Sequence, residues 1–133
     1  MTLYLDSSAL LKRYVAEPDS DIAEQYLLSD KVWVTARHTW VEVRRNLARL
    51  LSGRELVAAQ RYFSDDFRHT NVVELDEATC VLAAQIAEVS LLRTLDALHV
   101  AALRRVGSDV PLLSFDIRQA QAARGLGITV LGA

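Results

Sequence analysis

Apolar residues along this chain alternate between short continuous runs and a helical spacing of three and four positions. Leu3-Tyr4-Leu5, followed by Asp6-Ser7-Ser8, predicts a short buried strand that hands over to a helix, because Asp and Ser side chains accept hydrogen bonds from exposed helix N–H groups. Residues 9–15 continue as a helix. Pro18 and Asp19-Ser20-Asp21 break and restart the pattern, and Ile22, Ala23, Tyr26 and Leu27 make the apolar stripe of a second helix. Val32-Trp33-Val34 reads as a second strand. Trp40, Val43, Leu47, Leu50 and Leu51 then recur at helical spacing up to Gly53, which reads as a C-cap, and a further helix over residues 55–67 completes a helical hairpin.

The second half repeats the alternation. Val72-Val73-Glu74-Leu75 predicts a third strand, residues 78–91 a helix, and Thr94 caps a helix running to Val106. A strand over residues 111–115, a helix opened by Asp116 and reaching Ala123, and a strand over residues 128–131 finish the chain. Strands alternating with helices imply an α/β fold of three layers, α/β/α, with a mostly parallel sheet of about five strands. No repeat, linker or low-complexity stretch divides residues 1–133, so one domain is expected.

Composition narrows the chemistry. At 133 residues and 51% hydrophobic content, the chain is long enough to bury a core without staples. Its single cysteine, Cys80, excludes a disulfide framework and a cysteine-based metal site; within an apolar periodic stretch it reads as a small core residue. The first six residues contain no basic leader, and no apolar run approaches the ~20 residues of a membrane span, so a soluble cytoplasmic protein is the expectation. The net charge of -2 argues against a strongly basic nucleic-acid binder, yet thirteen of the fifteen cations are Arg, whose planar fork suits phosphate. Seven of these lie between Arg37 and Arg68 against four acids, a local +3 that fits either an RNA-facing surface or a solvated helical face.

Four acids stand out by position. Asp6 and Asp116 each sit where a strand passes to a helix, the edge of an open parallel sheet where ligands collect, although each is also a plain helix cap worth ~1 kcal/mol. Asp96 falls in the first turn of its helix, where the macrodipole favours an anion. Glu42 lies beside the apolar stripe of its helix, with an ion pair to Arg45 as the simplest alternative role. His99 shares a face with Asp96, which leaves open a general base, a hydrogen bond to Asp96 or a packed core histidine. His38 and His69 flank helices and are expected to be exposed.

Asp6-Ser7-Ser8-Ala9-Leu10, Val41-Glu42-Val43-Arg44-Arg45, Leu92 through Ala102 around Asp96, and Ser114-Phe115-Asp116 together resemble the PIN-domain family, in particular VapC-type toxins of bacterial toxin–antitoxin pairs. The resemblance spans essentially the whole chain. It implies strand order 3-2-1-4-5 and a metal-dependent endoribonuclease, in which Asp6, Glu42, Asp96 and Asp116 hold Mg²⁺ or Mn²⁺ and Ser8 and Ser114 support the cluster. It implies as partners an RNA substrate, on which Arg45 and Arg49 are candidate contacts, a cognate antitoxin and a second copy of the chain as a homodimer. Residues 117–120 depart from the Arg- and Leu-rich continuation common in the family after the last acid. The chemistry agrees with the residue types: hard divalent cations take oxygen ligands, and phosphodiester hydrolysis needs charge neutralised on the phosphate.

Rival enzyme classes lack their residues. A phosphoacceptor receiver needs a late lysine, and none follows Lys31; a haloacid-dehalogenase-type phosphatase wants Asp-x-Asp where this chain has Asp6-Ser7-Ser8; no Gly-rich phosphate loop is present. The remaining alternative is a non-catalytic PIN-like module that binds RNA or protein.

Overall fold

The computed structural model describes residues 1–29 and 32–133. Five strands, β1 (Thr2–Leu5), β2 (Val32–Ala36), β3 (Asn71–Val73), β4 (Leu112–Ser114) and β5 (Val130–Gly132), form one parallel sheet in the order β3-β2-β1-β4-β5. Parallel neighbours need long crossovers, and seven helices supply them: α1 (Ser7–Tyr14), α2 (Ser20–Ser29), α3 (Thr39–Leu50), α4 (Gly53–Arg68), α5 (Glu77–Val89), α6 (Thr94–Val106) and α7 (Ile117–Gly125).

Alternation along each strand divides the core in two, because successive side chains point to opposite sheet faces. Leu3, Leu5 and Leu113 pack with Leu10, Leu27, Val43, Leu47, Phe63 and Phe67 from α1 to α4. Tyr4, Val34, Ala36 and Leu112 pack on the other face with Ala97, Val100, Ala101 and Leu103 of α6 and with residues of α5 and α7. The expected three layers are therefore present, with a sheet that is parallel throughout.

Chain direction decides where a site can form. From β1 the chain moves outward to β2 and β3, then returns to place β4 and β5 on the other side of β1. The reversal lies between β1 and β4, which pair at Tyr4↔Leu112 and Leu5↔Leu113, and the C-terminal ends of two such strands open a crevice.

Four local expectations are corrected. Cys80 is exposed: α5 turns Thr79, Ala83 and Ile86 inward, so the buried stripe runs one residue away from the cysteine. Gly53 opens α4 rather than closing α3; α3 ends with the Leu51 N–H on Leu47 O, and Gly53 supplies the left-handed residue (φ +59) of the short turn. Thr94 is the first residue of α6, and the N-cap position is held by Arg93 in extended backbone, whose side chain makes no capping hydrogen bond among the described residues. His38 is buried, because it tucks beside His99 of α6 instead of facing solvent, while His69 is exposed as expected.

Candidate active site

Asp6 and Asp116 are built alike. Asp6, in extended backbone at the end of β1, is the N-cap of α1: its Oδ1 accepts the Ala9 N–H at 3.0 Å and the Ser8 hydroxyl at 2.6 Å. Asp116, two residues past β4, caps α7 through its own Oδ1, which accepts the N–H groups of Arg118 at 2.9 Å and Gln119 at 3.1 Å. Each carboxylate caps its helix through Oδ1, which leaves the second oxygen of each outside the cap. Ser8 also accepts the Phe115 N–H at 3.0 Å, Ser114 accepts the Asp116 N–H at 3.2 Å, and the nearby Ser114 hydroxyl helps hold the Asp6 carboxyl down. The two strand ends are thereby laced together by the two serines singled out from the sequence.

Asp96 arrives from the other side, in the first turn of α6. Its electrostatic neighbours identify the cluster. Burial raises its pKa, the Asp116 charge raises it further with a smaller contribution from Asp6, and Arg93, 3.7 Å away, opposes them. Asp6 is almost wholly buried, and burial lifts its carboxyl above the usual range against the pull of His99 and its hydroxyl and amide donors. Three acids from three elements therefore share one field at the β1–β4 crevice.

Gln119 is the member that the sequence reading missed. It is 2% exposed, and with its amide nitrogen turned toward the acids it donates to Asp6 Oδ2 at 3.0 Å and to Asp96 Oδ1 at 3.3 Å. A polar amide at a buried position one turn into α7, in the segment that departs from the family's continuation, was the available signal. The geometry also tests the implied cation. Asp6 Oδ2 and Asp96 Oδ1, from different elements, meet on the Gln119 amide nitrogen; both are hard oxygen donors of the kind Mg²⁺ or Mn²⁺ takes, and a cation between them would take the place of that amide.

Glu42 is placed differently from the other three acids. It does not pair with Arg45; its Oε1 lies 2.7 Å from His99 Nε2 and 3.6 Å from His38 Nε2. Burial pushes the Glu42 carboxyl up, but the His99 hydrogen bond and charge, with help from His38 and Ser7, bring it below its usual value. His99 forms no bond to Asp96; its Nδ1 meets the buried Tyr4 hydroxyl at 2.9 Å. Burial and the neighbouring His99 charge lower His38 to about 4, so that ring is neutral at pH 7. Ser7, whose hydroxyl helps lower Glu42, is next to Asp6 in the chain, so the histidine-bound acid borders the crevice.

An open cleft of about 720 Å³ runs from Asp96 between the α5–α6 turn and α7, with Leu92, Arg93, Arg118 and Leu126 among its walls. Arg45 and Arg49 are exposed on α3; Arg49 bonds Asn46 at 3.2 Å, and among the described residues neither has a carboxylate partner.

Comparison with known proteins places this geometry. The PIN-domain family model matches residues 3–125. Ribonuclease VapC46 of Mycobacterium tuberculosis is 35% identical over 130 residues, covering 97% of this chain and 95% of that protein. Among solved structures, VapC20 of Mycobacterium tuberculosis, described as a sarcin–ricin-loop-cleaving toxin, superposes with a TM-score of 0.74 at 19% identity over 90% of this chain and 94% of that one. A toxin–antitoxin complex from Klebsiella pneumoniae contains a chain with a TM-score of 0.73 at 13% identity, over 97% and 95%.

Proposed function

This chain belongs to the PIN-domain family, and from that premise we propose that it is an endoribonuclease, the toxin of a toxin–antitoxin pair, hydrolysing RNA phosphodiesters with Mg²⁺ or Mn²⁺ at Asp6, Asp96 and Asp116. The observation that carries the reading is the convergence of Asp6 Oδ2 and Asp96 Oδ1 beside a third acid at the sheet's switch point. A divalent cation bound there neutralises charge growing on the phosphate and makes water a better nucleophile.

The chain's own residues do the rest. Asp6 and Asp96 supply the first oxygens, and Ser8 and Ser114 hold Asp6 in aim. Asp116, anchored through Oδ1, keeps Oδ2 free to orient a water or accept its proton. Glu42, the fourth acid of the set, acts from its place on His99. Arg93 and Arg118 on the cleft wall, and Arg45 and Arg49 on α3, are the cations available to the RNA backbone. The reading also assigns an antitoxin that covers the mouth and presents a cation to its acids, and a second copy of the chain as a homodimer partner. Among the described residues no helix is long and apolar enough to cross a membrane.

Purified protein incubated with structured RNA in millimolar Mg²⁺ or Mn²⁺ tests the proposal. Internal cleavage that stops with chelator and returns with metal is expected. RNA that is bound but left intact in both metals would identify a non-catalytic module instead.

A further inference from the structure

Gln119 is joined to all three crevice acids. Its backbone N–H donates to Asp116 Oδ1 at 3.1 Å as part of the α7 cap, and its amide nitrogen donates to Asp6 Oδ2 at 3.0 Å and to Asp96 Oδ1 at 3.3 Å. The residue is 2% exposed, so its amide meets the acids and not solvent. Among the described residues no lysine or arginine pairs with Asp6, and the cation near Asp96, Arg93, lies 3.7 Å from the other oxygen, Oδ2. Gln119 is therefore what bridges the end of β1 to α6 at this point.

A carboxamide suits this place in the empty protein. Its nitrogen carries two protons, one for each carboxylate, which satisfies two oxygens that burial would otherwise leave bare, and it adds no charge. What it cannot do is cancel the charge of the pair. A divalent ion held by the same two oxygens cancels it, but N–H groups aimed at those oxygens present their positive ends to the ion. The amide and the cation exclude one another. Gln119 can vacate the position by rotating its own side chain, while Asp116 keeps the backbone of α7 in place.

We propose that Gln119 is an internal competitor for the cation: a neutral latch that closes Asp6 onto Asp96 in the metal-free protein and opens when a divalent ion takes both oxygens. The inference rests on the metal-dependent reading above and adds its regulation, a concentration of free metal below which the site stays latched. A latch made only in the empty state stabilises that state alone. Its removal tightens metal binding, and the stability of the unlatched protein relative to wild type improves by the same factor from chelator to saturating metal; any other change in packing acts on both states and cancels.

Gln119→Leu keeps the bulk of the side chain and removes its donors. Chelator-stripped wild type and variant are titrated with Mn²⁺ by calorimetry, without RNA, and melted in chelator and in saturating Mn²⁺. The expected result is Mn²⁺ binding on the order of tenfold tighter in the variant. Its melting temperature relative to wild type should then rise by about 5 °C from chelator to metal, the same factor read as stability. In wild type, the Gln119 side-chain amide followed by NMR should be protected from solvent exchange in chelator and lose that protection with the midpoint of Mg²⁺ binding. Weaker or unchanged Mn²⁺ binding in the variant overturns the latch, as does an amide that stays protected in saturating Mg²⁺. The NMR measurement on wild-type protein decides the matter even if the variant fails to fold. Uptake of no divalent ion by either protein overturns the metal reading and the latch with it, whereas a latch that fails in proteins that both bind metal leaves that reading standing.

Discussion

Asp6, Asp96 and Asp116 differ from Glu42 in what surrounds them, although all four are acids of one predicted set. The first three gather at the end of β1 and β4, where burial raises Asp6, and burial with the charges of Asp116 and Asp6 raises Asp96. Glu42 is held by two imidazoles, with the His99 bond and charge bringing its carboxyl down. One region concentrates negative charge; in the other a single acid is hydrogen-bonded to an imidazole. Like charges ~5 Å apart repel by ~3 kcal/mol at an effective dielectric of ~20, which a bound divalent ion would reverse at the first site, whereas at the second Glu42 already accepts a hydrogen bond from His99 Nε2.

The sharpest way to separate the regions is to remove one charge from the trap. Asp6→Asn and Asp96→Asn should each cut RNA cleavage by roughly 10³-fold, as loss of several kcal/mol of metal-centred stabilisation implies, while circular dichroism stays native. Near wild-type rates for Asp96→Asn in matched metal and salt would break the distinction at once.

A smaller effect comes from moving β4, the strand that leads into Asp116. Gly132 of β5 pairs with Ser114 at φ +95, and a Cβ there would stand 2.6 Å from the Ser114 carbonyl oxygen and 3.1 Å from the Phe115 ring. Gly132→Ala should cost ~2–3 kcal/mol in denaturant unfolding and lower cleavage through the displaced Ser114 and Asp116. An unchanged unfolding midpoint would show that β4 does not set the mouth.

The histidine pocket answers to a different probe. Tyr4→Phe leaves His99 Nδ1 buried without its partner, so we expect a loss of ~1–2 kcal/mol with little change in cleavage at saturating metal. A drop in cleavage as large as that of Asp96→Asn would mean that the two regions act as one.

The same contrast explains what could be read in advance. Element order follows from local signals, apolar runs and strand-to-helix handovers at Asp6 and Asp116, while the strand order and the grouping of the acids came from the family resemblance. The environment of Glu42 depends on α3 meeting α6, a pairing of residues 57 positions apart that no local pattern encodes, which is why Arg45 looked the natural partner and His38 looked exposed. Gln119 was hidden for a related reason, since its role appears only when α7 is laid beside Asp6 and Asp96. Cys80 was misplaced because α5 is apolar around most of its circumference, so periodicity does not single out the buried stripe.

The central claim is that the three crevice acids are held together at a cost which a divalent cation repays, and a thermal melt of wild type and Asp96→Asn in chelator and in millimolar Mn²⁺ tests it most directly. Because the folded-state pKa of Asp96 is raised, its ionised form destabilises the native state at pH 8, and that penalty disappears as pH falls through the raised value. In chelator at pH 8 the mutant should therefore melt about 3–5 °C higher, roughly 1 kcal/mol, with the gap closing on acidification. Mn²⁺ should raise the melting temperature of wild type more than that of the mutant, because only binding to the folded state is linked to stability. A mutant that melts below wild type in chelator, with equal metal shifts for both proteins, would contradict the account and leave Asp96 as a first-turn helix acid only.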